Sequence, residues 1–279
     1  MALAPYGWPL KPFNRQHPVR GYLNDPRVGL KQSAFHFGID VSAKDFEPVF
    51  AVEGGVVHLE GPRNVAVVST GRTFSYWHIV PSVAHRQTVR RGQRLGTVAK
   101  SWLHVHLAER VGDRYVNPLR PGALTPFADP SSPRVARVWL ERRGREIDPN
   151  RATGVVDVVA EAHDRPALRP PPPWEDVVVA PGLLRWRMAH EARFVVPWRV
   201  SVDLRHAMLS KERYHQVYAP GTLPNRRGKR GTLRFWVVRS LDTRLREDGG
   251  YRIDVEVADV RGNRARAGLP FRVRNGPPV

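Results

Sequence analysis

Hydrophobic and polar residues alternate in short runs along most of the chain, and Gly or Pro separates the runs. This pattern is typical of β-strands that bury one face, because successive side chains of a strand point to opposite sides. No stretch between residues 34 and 119 shows the period of an amphipathic helix. The strands predicted in this region are residues 48–52, 55–59, 64–68, 74–80, 94–98 and 103–107. The pattern predicts an all-β protein.

A second set of alternating runs begins at about residue 134, after a proline-rich linker. Its predicted strands include residues 135–140, 154–160, 183–188, 233–238 and 251–257. Many short strands separated by turn residues favour a β-sandwich of the immunoglobulin-like kind. Residues 1–33 are rich in turn-forming residues and are interpreted as an irregular N-terminal arm. We therefore predict an arm at 1–33, a small antiparallel β domain at 34–128 and a β-sandwich domain at 129–279.

The chain contains no Cys, so any metal ion must be held by His and carboxylate ligands. Its net charge of +19 favours polyanionic partners, but the arginines that carry most of this charge are spread through both halves. The densest basic segment, residues 226–230, is interpreted as a solvated hairpin tip or loop, with contact to a polyanion as the alternative. No recognition helix or stacking platform supports specific nucleic-acid binding. No apolar run is long enough to predict a membrane span.

Four of the eleven histidines, together with one aspartate, lie in settings that differ from the rest. The first segment, residues 35–41, reads Phe-His-Phe-Gly-Ile-Asp-Val. On a straight strand His36 and Asp40 would share one face but lie ~13 Å apart, at ~3.3 Å per residue. Zinc ligands lie only ~2 Å from the metal, so one shared ion requires the backbone to bend between them. Gly38 is the residue that permits this bend.

The other histidines of this group occur in two further β-type segments, residues 76–79 and 104–107. Tyr76 and His78 share a predicted strand face, and so do His104 and His106, whose Cα atoms would lie ~6.6 Å apart. Two His and one carboxylate on zinc leave a fourth position open, which is the arrangement of catalytic sites. A histidine in any one of these segments alone is more often an ordinary structural residue. The combination of all three segments within one β-rich region favours a metal site.

These three segments resemble the three motifs of the LytM/lysostaphin-type zinc metallopeptidases: His36 to Asp40, Tyr76 to Ile79, and His104 to Leu107. The intervening residues 48–57, 89–96 and 117–119 are similar to the family as well. The resemblance covers residues ~34–120. It implies a small antiparallel β fold that cuts the peptide cross-links of bacterial cell walls.

By this resemblance His36, Asp40 and His106 are expected to bind one zinc ion, and His78 and His104 to be catalytic residues that do not bind it. Tyr76 and Trp102 are expected to line the substrate groove. The family usually has a loop rich in Gly, Ser and Thr before the last motif. Residues 98–103 are shorter and bulkier here, so Trp102 is expected to narrow the groove.

The function predicted from these residues is a zinc-dependent endopeptidase that hydrolyses peptide bonds of peptidoglycan. The alternative is a catalytically weak or inactive LytM-like protein that binds or regulates in the cell envelope. Expected partners are peptidoglycan peptide stems or cross-links and anionic wall polymers. The resemblance implies an extracellular or envelope location, although residues 1–10 lack the pattern of a signal peptide. It stays open whether the arm covers the site, where His17 or Asn24 could reach a metal.

Overall fold

The computed structural model describes residues 4–28 and 33–276. About 49% of the chain is in strands and about 5% in helices, which confirms the predicted all-β fold. The helices are α1 (Tyr214–Val217) and the 3-10 helices at Pro149–Arg151, Lys211–Arg213 and Thr243–Leu245. Among the described residues, no helix has the length and apolar character that crossing a membrane requires.

The first half of the chain forms a large antiparallel sheet. Its strands are β1 (Val19–Gly21), β4 (Ile39–Ser42), β6 (Gly55–Leu59), β7 (Asn64–Ser69), β8 (Arg72–Trp77), β10 (Thr88–Val89), β12 (His104–Val111) and β13 (Arg114–Val116). Their order across the sheet is β1-β4-β12-β8-β7-β6-β10, and β13 pairs with β12. This order places β12 in the interior of the sheet, between β4 and β8.

Two smaller sheets complete the first half. One contains β5 (Pro48–Phe50), β11 (Arg94–Val98) and β9 (Ile79–Pro81) in that order, and the other pairs β2 (Pro26–Val28) with β3 (Ser33–Phe35). Tyr6, Trp8 and Leu10 are fully buried in the same hydrophobic core as strand residues such as Ile39 and Val105. The described part of the predicted arm therefore packs into the core of this half, through large apolar side chains removed from water.

The second half forms two four-stranded antiparallel sheets. The first contains β14 (Arg134–Arg142), β15 (Arg145–Glu146), β16 (Val155–His163) and β19 (Arg234–Asp242), and the second contains β17 (Leu183–His190), β18 (Arg193–Asp203), β20 (Gly249–Ala258) and β21 (Arg264–Val273). They are ordered β15-β14-β16-β19 and β18-β17-β20-β21. The two sheets share one hydrophobic core, in which Val158, Phe235 and Ile253 are fully buried. An immunoglobulin-like topology and the three-part division of the chain stay predictions.

One buried carboxylate ties the arm to the large sheet. Glu109 on β12 is fully buried, and its two carboxylate oxygens accept hydrogen bonds from Tyr6 Oη (2.7 Å) and from Arg120 Nη2 (2.9 Å). Arg72 Nη1 lies 3.4 Å from the same carboxylate. A buried charge in this position is tolerated because two guanidinium groups and a phenol satisfy it.

We expect Glu109→Gln to lower the free energy of unfolding by about 3 kcal/mol, because it removes the anion that compensates Arg72 and Arg120. Tyr6→Phe removes one hydrogen bond and should cost about 1 kcal/mol. Urea denaturation measures both changes. Glu60→Gln, at an exposed position, is the matched control, and an equal loss in that variant would contradict the assignment.

Candidate metal centre

The segment between β3 and β4 connects the two-stranded sheet to the large sheet, and it bends at Gly38, as predicted. A Cβ atom at this position would lie 2.4 Å from the carbonyl oxygen of Leu107 and 2.8 Å from Nε2 of His106. Gly38 is not among the residues with positive φ. Glycine is therefore required here by the close approach of β12, and the left-handed backbone conformation is not the reason.

The pairing of β4 with β12 brings the first predicted motif, residues 36–40, next to the last one, residues 104–107. His106 lies opposite Asp40 in the antiparallel register, and His104 lies opposite Ser42. Both histidines point to one side of β12, while Val105 and Leu107 are fully buried in the core on the other side. Residues separated by more than sixty positions in the chain thus become cross-strand neighbours.

Three potential ligand atoms converge at this point. His36 Nε2 lies 3.1 Å and His106 Nδ1 3.0 Å from Asp40 Oδ1, and the two ring nitrogens are 2.8 Å apart. A tetrahedral zinc site with bonds of ~2.1 Å separates its ligand atoms by roughly 3.4 Å. His36 Nδ1 contacts the carbonyl oxygen of Tyr22 at 2.9 Å, so donation of its N–H there leaves Nε2 free for a metal. The donor set fits one metal ion, and this group could hold it.

Burial sets the protonation of these groups. It lowers the pKa of His36 to about 3, with the charge of Arg27 acting in the same direction, and it also lowers the pKa of His106. Burial alone would raise the pKa of Asp40, but His36 and His104 hold that pKa well below its ordinary value. At neutral pH the site therefore has neutral imidazoles and an ionised carboxylate, the forms that bind metals.

His104 and His78 lie beside the three converging atoms. His104 Nε2 is 3.4 Å from Asp40 Oδ1, and the ring centroids of His78 and His104 are 4.7 Å apart. The backbone of His78 has a φ of +66°, which separates β8 from β9 and interrupts the alternation of a continuous strand. Burial, followed by the charge of His104, lowers the pKa of His78 to about 3. The kink directs His78 to the open side of the sheet, next to Trp77.

The prediction that Tyr76 lines the substrate groove is wrong. Tyr76 is fully buried, and its hydroxyl oxygen accepts the backbone N–H of Val52 at 2.8 Å. The predicted strand ran through position 78 without a break and therefore placed Tyr76 and His78 on the same face. Because the chain turns at His78, the side chains of Trp77 and His78 both line the groove, and Tyr76 is a core residue.

Trp102 lies in the short segment before His104 and stacks on His78, with ring centroids 3.5 Å apart and planes 10° from parallel. The carboxylate of Asp45 holds this segment by accepting the backbone N–H groups of Ser101 (2.7 Å) and Leu103 (3.3 Å). Both of these residues have positive φ. Asp45 thus acts on the groove by shaping the turn that presents Trp102.

Two arginines of the arm contact the site and were not singled out from the sequence. Arg27 Nη2 lies 2.8 Å from Asp40 Oδ2, the carboxylate oxygen that does not face the histidines. Arg20 Nη2 lies 2.6 Å from His104 Nδ1 and 3.1 Å from the carbonyl oxygen of Trp102. Its guanidinium stacks on Trp174 of the second half at 4.1 Å. Arginines are so frequent in this chain that no local pattern marks these two.

The centre lies at the bottom of an open groove of about 660 Å³. The second half of the chain supplies part of its wall through Trp174, Pro224, Asn225 and Arg226. Arg226 begins the basic segment 226–230, which forms a tight turn closed by two backbone hydrogen bonds between Arg226 and Lys229. The groove is therefore lined by both halves, with arginines along its rim.

The two residues of the arm considered as further metal ligands lie elsewhere. His17 Nε2 contacts the carbonyl oxygen of Pro12 at 3.1 Å, and its ring packs beside Trp8. Asn24 is fully buried, and its amide nitrogen donates to the carbonyl oxygen of Ala207 at 3.0 Å. Neither side chain lines the groove.

Two buried imidazoles and a carboxylate that converge on one point in the wall of a groove could hold one metal ion. Comparison with known proteins agrees: the model of peptidase family M23 matches residues 34–118. Residues 34–118 form an M23 domain of the LytM type. This match of residues 34–118 supports a metallopeptidase function in general terms.

Several solved structures are similar to parts of the chain, each with a TM-score of 0.35. Csd3 from Helicobacter pylori is 22% identical over 42% of this chain and 34% of its own, so the match spans about a third of that protein. The M23 metalloprotease pseudoalterin from the deep sea is 18% identical over 52% of this chain and 95% of its own. A zinc-containing peptidase from Vibrio cholerae is 22% identical over 41% and 39%. No curated protein matches the chain.

We expect Gly38→Ala to weaken metal binding strongly, because its Cβ would displace either Leu107 or the ring of His106. A loss of zinc affinity of tenfold or more, measured by competition with a chromogenic chelator, is the expected result, since outer-shell changes cost roughly 10–100-fold. Gly54→Ala is the control, because its nearest contact is a milder 3.1 Å and lies away from the centre. Wild-type affinity in Gly38→Ala would contradict the close-packing argument.

The metal-free protein should lose stability as the pH falls. The pKa of His36 is about 3 in the folded protein and 6.5 in the unfolded chain, so protonation favours unfolding. Its contribution is fully present above pH 6.5 and decreases towards pH 3, by about 3 kcal/mol between pH 7 and pH 4. Urea denaturation across this range, compared with His36→Gln, isolates the effect. The same pH dependence in both proteins would show that His36 does not cause it.

Proposed function

We propose that the protein is a zinc-dependent endopeptidase that hydrolyses peptide bonds of bacterial peptidoglycan. The observation that carries this proposal is the convergence of His36, Asp40 and His106, with His78 and His104 beside them, at the bottom of an open groove. The M23 domain at residues 34–118 supports the peptidase class. The finer assignment of substrate and residue roles is part of the proposal.

His36, Asp40 and His106 would hold the zinc ion. A zinc ion bound by them supplies a Lewis acid for the scissile carbonyl and lowers the pKa of water. Arg27 would orient Asp40 by donating to the carboxylate oxygen that faces away from the histidines. The carbonyl oxygen of Tyr22 would fix the ring of His36 in the same manner.

His104 would stabilise the charge that develops on the oxygen of the scissile carbonyl. Its Nδ1 lies 2.6 Å from Arg20 Nη2 and 2.7 Å from the carbonyl oxygen of Trp102. This role requires the tautomer in which Nδ1 accepts the N–H of Arg20 and the ring proton is on Nε2. Nε2 faces the converging ligand atoms, where it can donate a hydrogen bond to the substrate oxygen. Arg20 is a positioning residue in this scheme, because it acts through His104.

His78 would transfer the proton. The ring is neutral at neutral pH and offers a lone pair for the proton of the attacking water, while its lowered pKa makes it a weaker base than an ordinary imidazole. The same ring would then donate that proton to the amine that leaves. Stacking on Trp102 fixes the plane of the ring and limits its access to bulk water.

The groove favours an extended peptide that carries carboxylates. Trp77, Trp102 and Trp174 offer flat apolar walls, while Arg27 and Arg226 supply positive charge. The peptide stems of peptidoglycan have this chemistry, and a net charge of +19 favours approach to an anionic wall. The protein would then act outside the cytoplasm, in the cell envelope.

Two histidine variants separate metal binding from catalysis. We expect His106→Ala to lose both stoichiometric zinc and hydrolysis of purified peptidoglycan. His104→Ala should retain zinc but hydrolyse at least about 100-fold more slowly, because it removes a donor to the transition state. Zinc is measured by elemental analysis, and soluble muropeptides by chromatography. His215→Ala, at an exposed position, is the control, and full activity of His106→Ala would overturn the proposal.

A second candidate function is a role in binding or regulation without hydrolysis. The stacking of Trp102 on His78 favours it, because the stack occupies one side of a proposed catalytic residue. A protein that binds one zinc ion and sediments with peptidoglycan, but releases no muropeptides, would support this function. Trp102→Ala then distinguishes a blocked enzyme, which would gain activity, from a binding protein, which would not.

A further inference from the structure

A second group of potential metal ligands lies at the seam between the two halves, away from the groove. Asp129, Asp164 and Asp259 each offer a carboxylate oxygen, and these three atoms lie within 4.8 Å of one another. The three side chains come from the linker before β14, from the end of β16 and from the end of β20. All three residues are buried, with exposures of 7%, 2% and 2%.

One oxygen of this group has no partner. Asp129 Oδ1 accepts the N–H and the hydroxyl of Ser131, but Asp129 Oδ2 is buried and accepts no hydrogen bond. Because Asp129 is more than nine-tenths buried and faces two further carboxylates, its free oxygen has no access to water for compensation. A buried carboxylate oxygen without a donor requires a proton, a water molecule or a cation as its partner.

The negative charge of the group is only partly balanced, because the charge of Arg261 acts on Asp129 and Asp259 without forming an ion pair with either. None of the ion pairs among the described residues includes Asp129, Asp164 or Asp259. Their remaining donors are neutral: Arg165 donates its backbone N–H to Asp164, and the turn at 261–263 donates to Asp259. The guanidinium of Arg261 stacks over Phe127 at 4.8 Å.

Burial of like charges also changes the acidity of the group. Burial raises the pKa of Asp164 to about 8, and the charges of Asp129 and Asp259 contribute to the rise. Burial likewise raises the pKa of Asp129. Three carboxylates at this separation must therefore take up protons or bind a cation, because together they are costly as bare anions.

We propose that Asp129, Asp164 and Asp259 form a calcium site that joins the linker to both sheets of the second half. Oxygen-only ligands suit hard divalent cations, and Ca²⁺ bonds of 2.3–2.6 Å allow ligand oxygens as far apart as those found here. Each aspartate follows a different chain segment, so a bound ion cross-links three segments that are distant in sequence. The site differs from the groove in ligand type and in location.

Stability measurements on the full chain test the proposal. Protein stripped of metal by a chelating resin and reloaded with one equivalent of zinc is titrated with Ca²⁺ and followed by thermal unfolding. We expect saturable stabilisation, with Tm rising by about 5 °C or more, and a calorimetric stoichiometry of one Ca²⁺ per chain. Mg²⁺ should stabilise less, because it demands tighter octahedral geometry.

Two variants locate the effect. Asp129→Asn relieves repulsion, so its Tm without Ca²⁺ should be at least that of the wild type, while the shift caused by Ca²⁺ should be lost. Asp164→Asn serves as the second variant if the first fails to fold. Asp113→Asn, at an exposed turn, should keep the full shift. His106→Ala should keep it as well, which separates this site from the zinc centre.

Three results would overturn the calcium site. The first is a wild-type Tm that does not change with millimolar Ca²⁺, which would mean that the carboxylates are neutralised by protons. The second is an undiminished Ca²⁺ shift in both aspartate variants. The third is a shift that disappears in His106→Ala, which would assign the effect to the groove. None of these results bears on whether the groove hydrolyses peptides.

Discussion

The close approach of β12 to the bend at Gly38 is the contact on which the candidate metal centre depends. With a hydrogen atom in place of a side chain, Gly38 lets the carbonyl of Leu107 and the ring of His106 pass beside the backbone. The antiparallel register then places His106 opposite Asp40 without further adjustment. Two motifs that are far apart in sequence meet because one position within the first motif has no Cβ atom.

Electrostatic balance is achieved in two different ways in this protein. The anionic Asp40 at the groove lies beside Arg27, and Glu109 in the core lies between Arg72 and Arg120, so each of these two carboxylates has a cationic partner. At the seam, three aspartates lie together without an ion pair to any described residue, and the charge of Arg261 acts on two of them. The proposed cation would supply the missing charge.

The sequence predicted the strands well because their alternation is local. Residues 55–59 and 94–98 were predicted with the bounds that β6 and β11 have in the structure. The bend at Gly38 was predicted from the reach of metal ligands, although the structural reason for glycine is steric. The kink at His78 was missed, because nothing in the alternation of residues 74–80 marks a positive φ, and Tyr76 was misplaced as a result. Arg20, Arg27 and the groove wall at Trp174 depend on tertiary contacts that no local pattern encodes.

The contacts of Tyr22 show that the packed structure around the candidate metal centre begins before the matched domain does. The backbone carbonyl oxygen of Tyr22 faces His36, its hydroxyl accepts the N–H of Ala167, and the charges of Asp129 and Asp164 act on its phenol. It precedes the boundary of the matched domain at residue 34. A fragment that begins at residue 34 would lose Arg20, Tyr22 and Arg27. The contacts that these residues make with His104, His36 and Asp40 would be lost with them. The matched family therefore defines a shorter segment than the packing does, and a functional transfer of this candidate metal centre into another protein would have to include residues before 34.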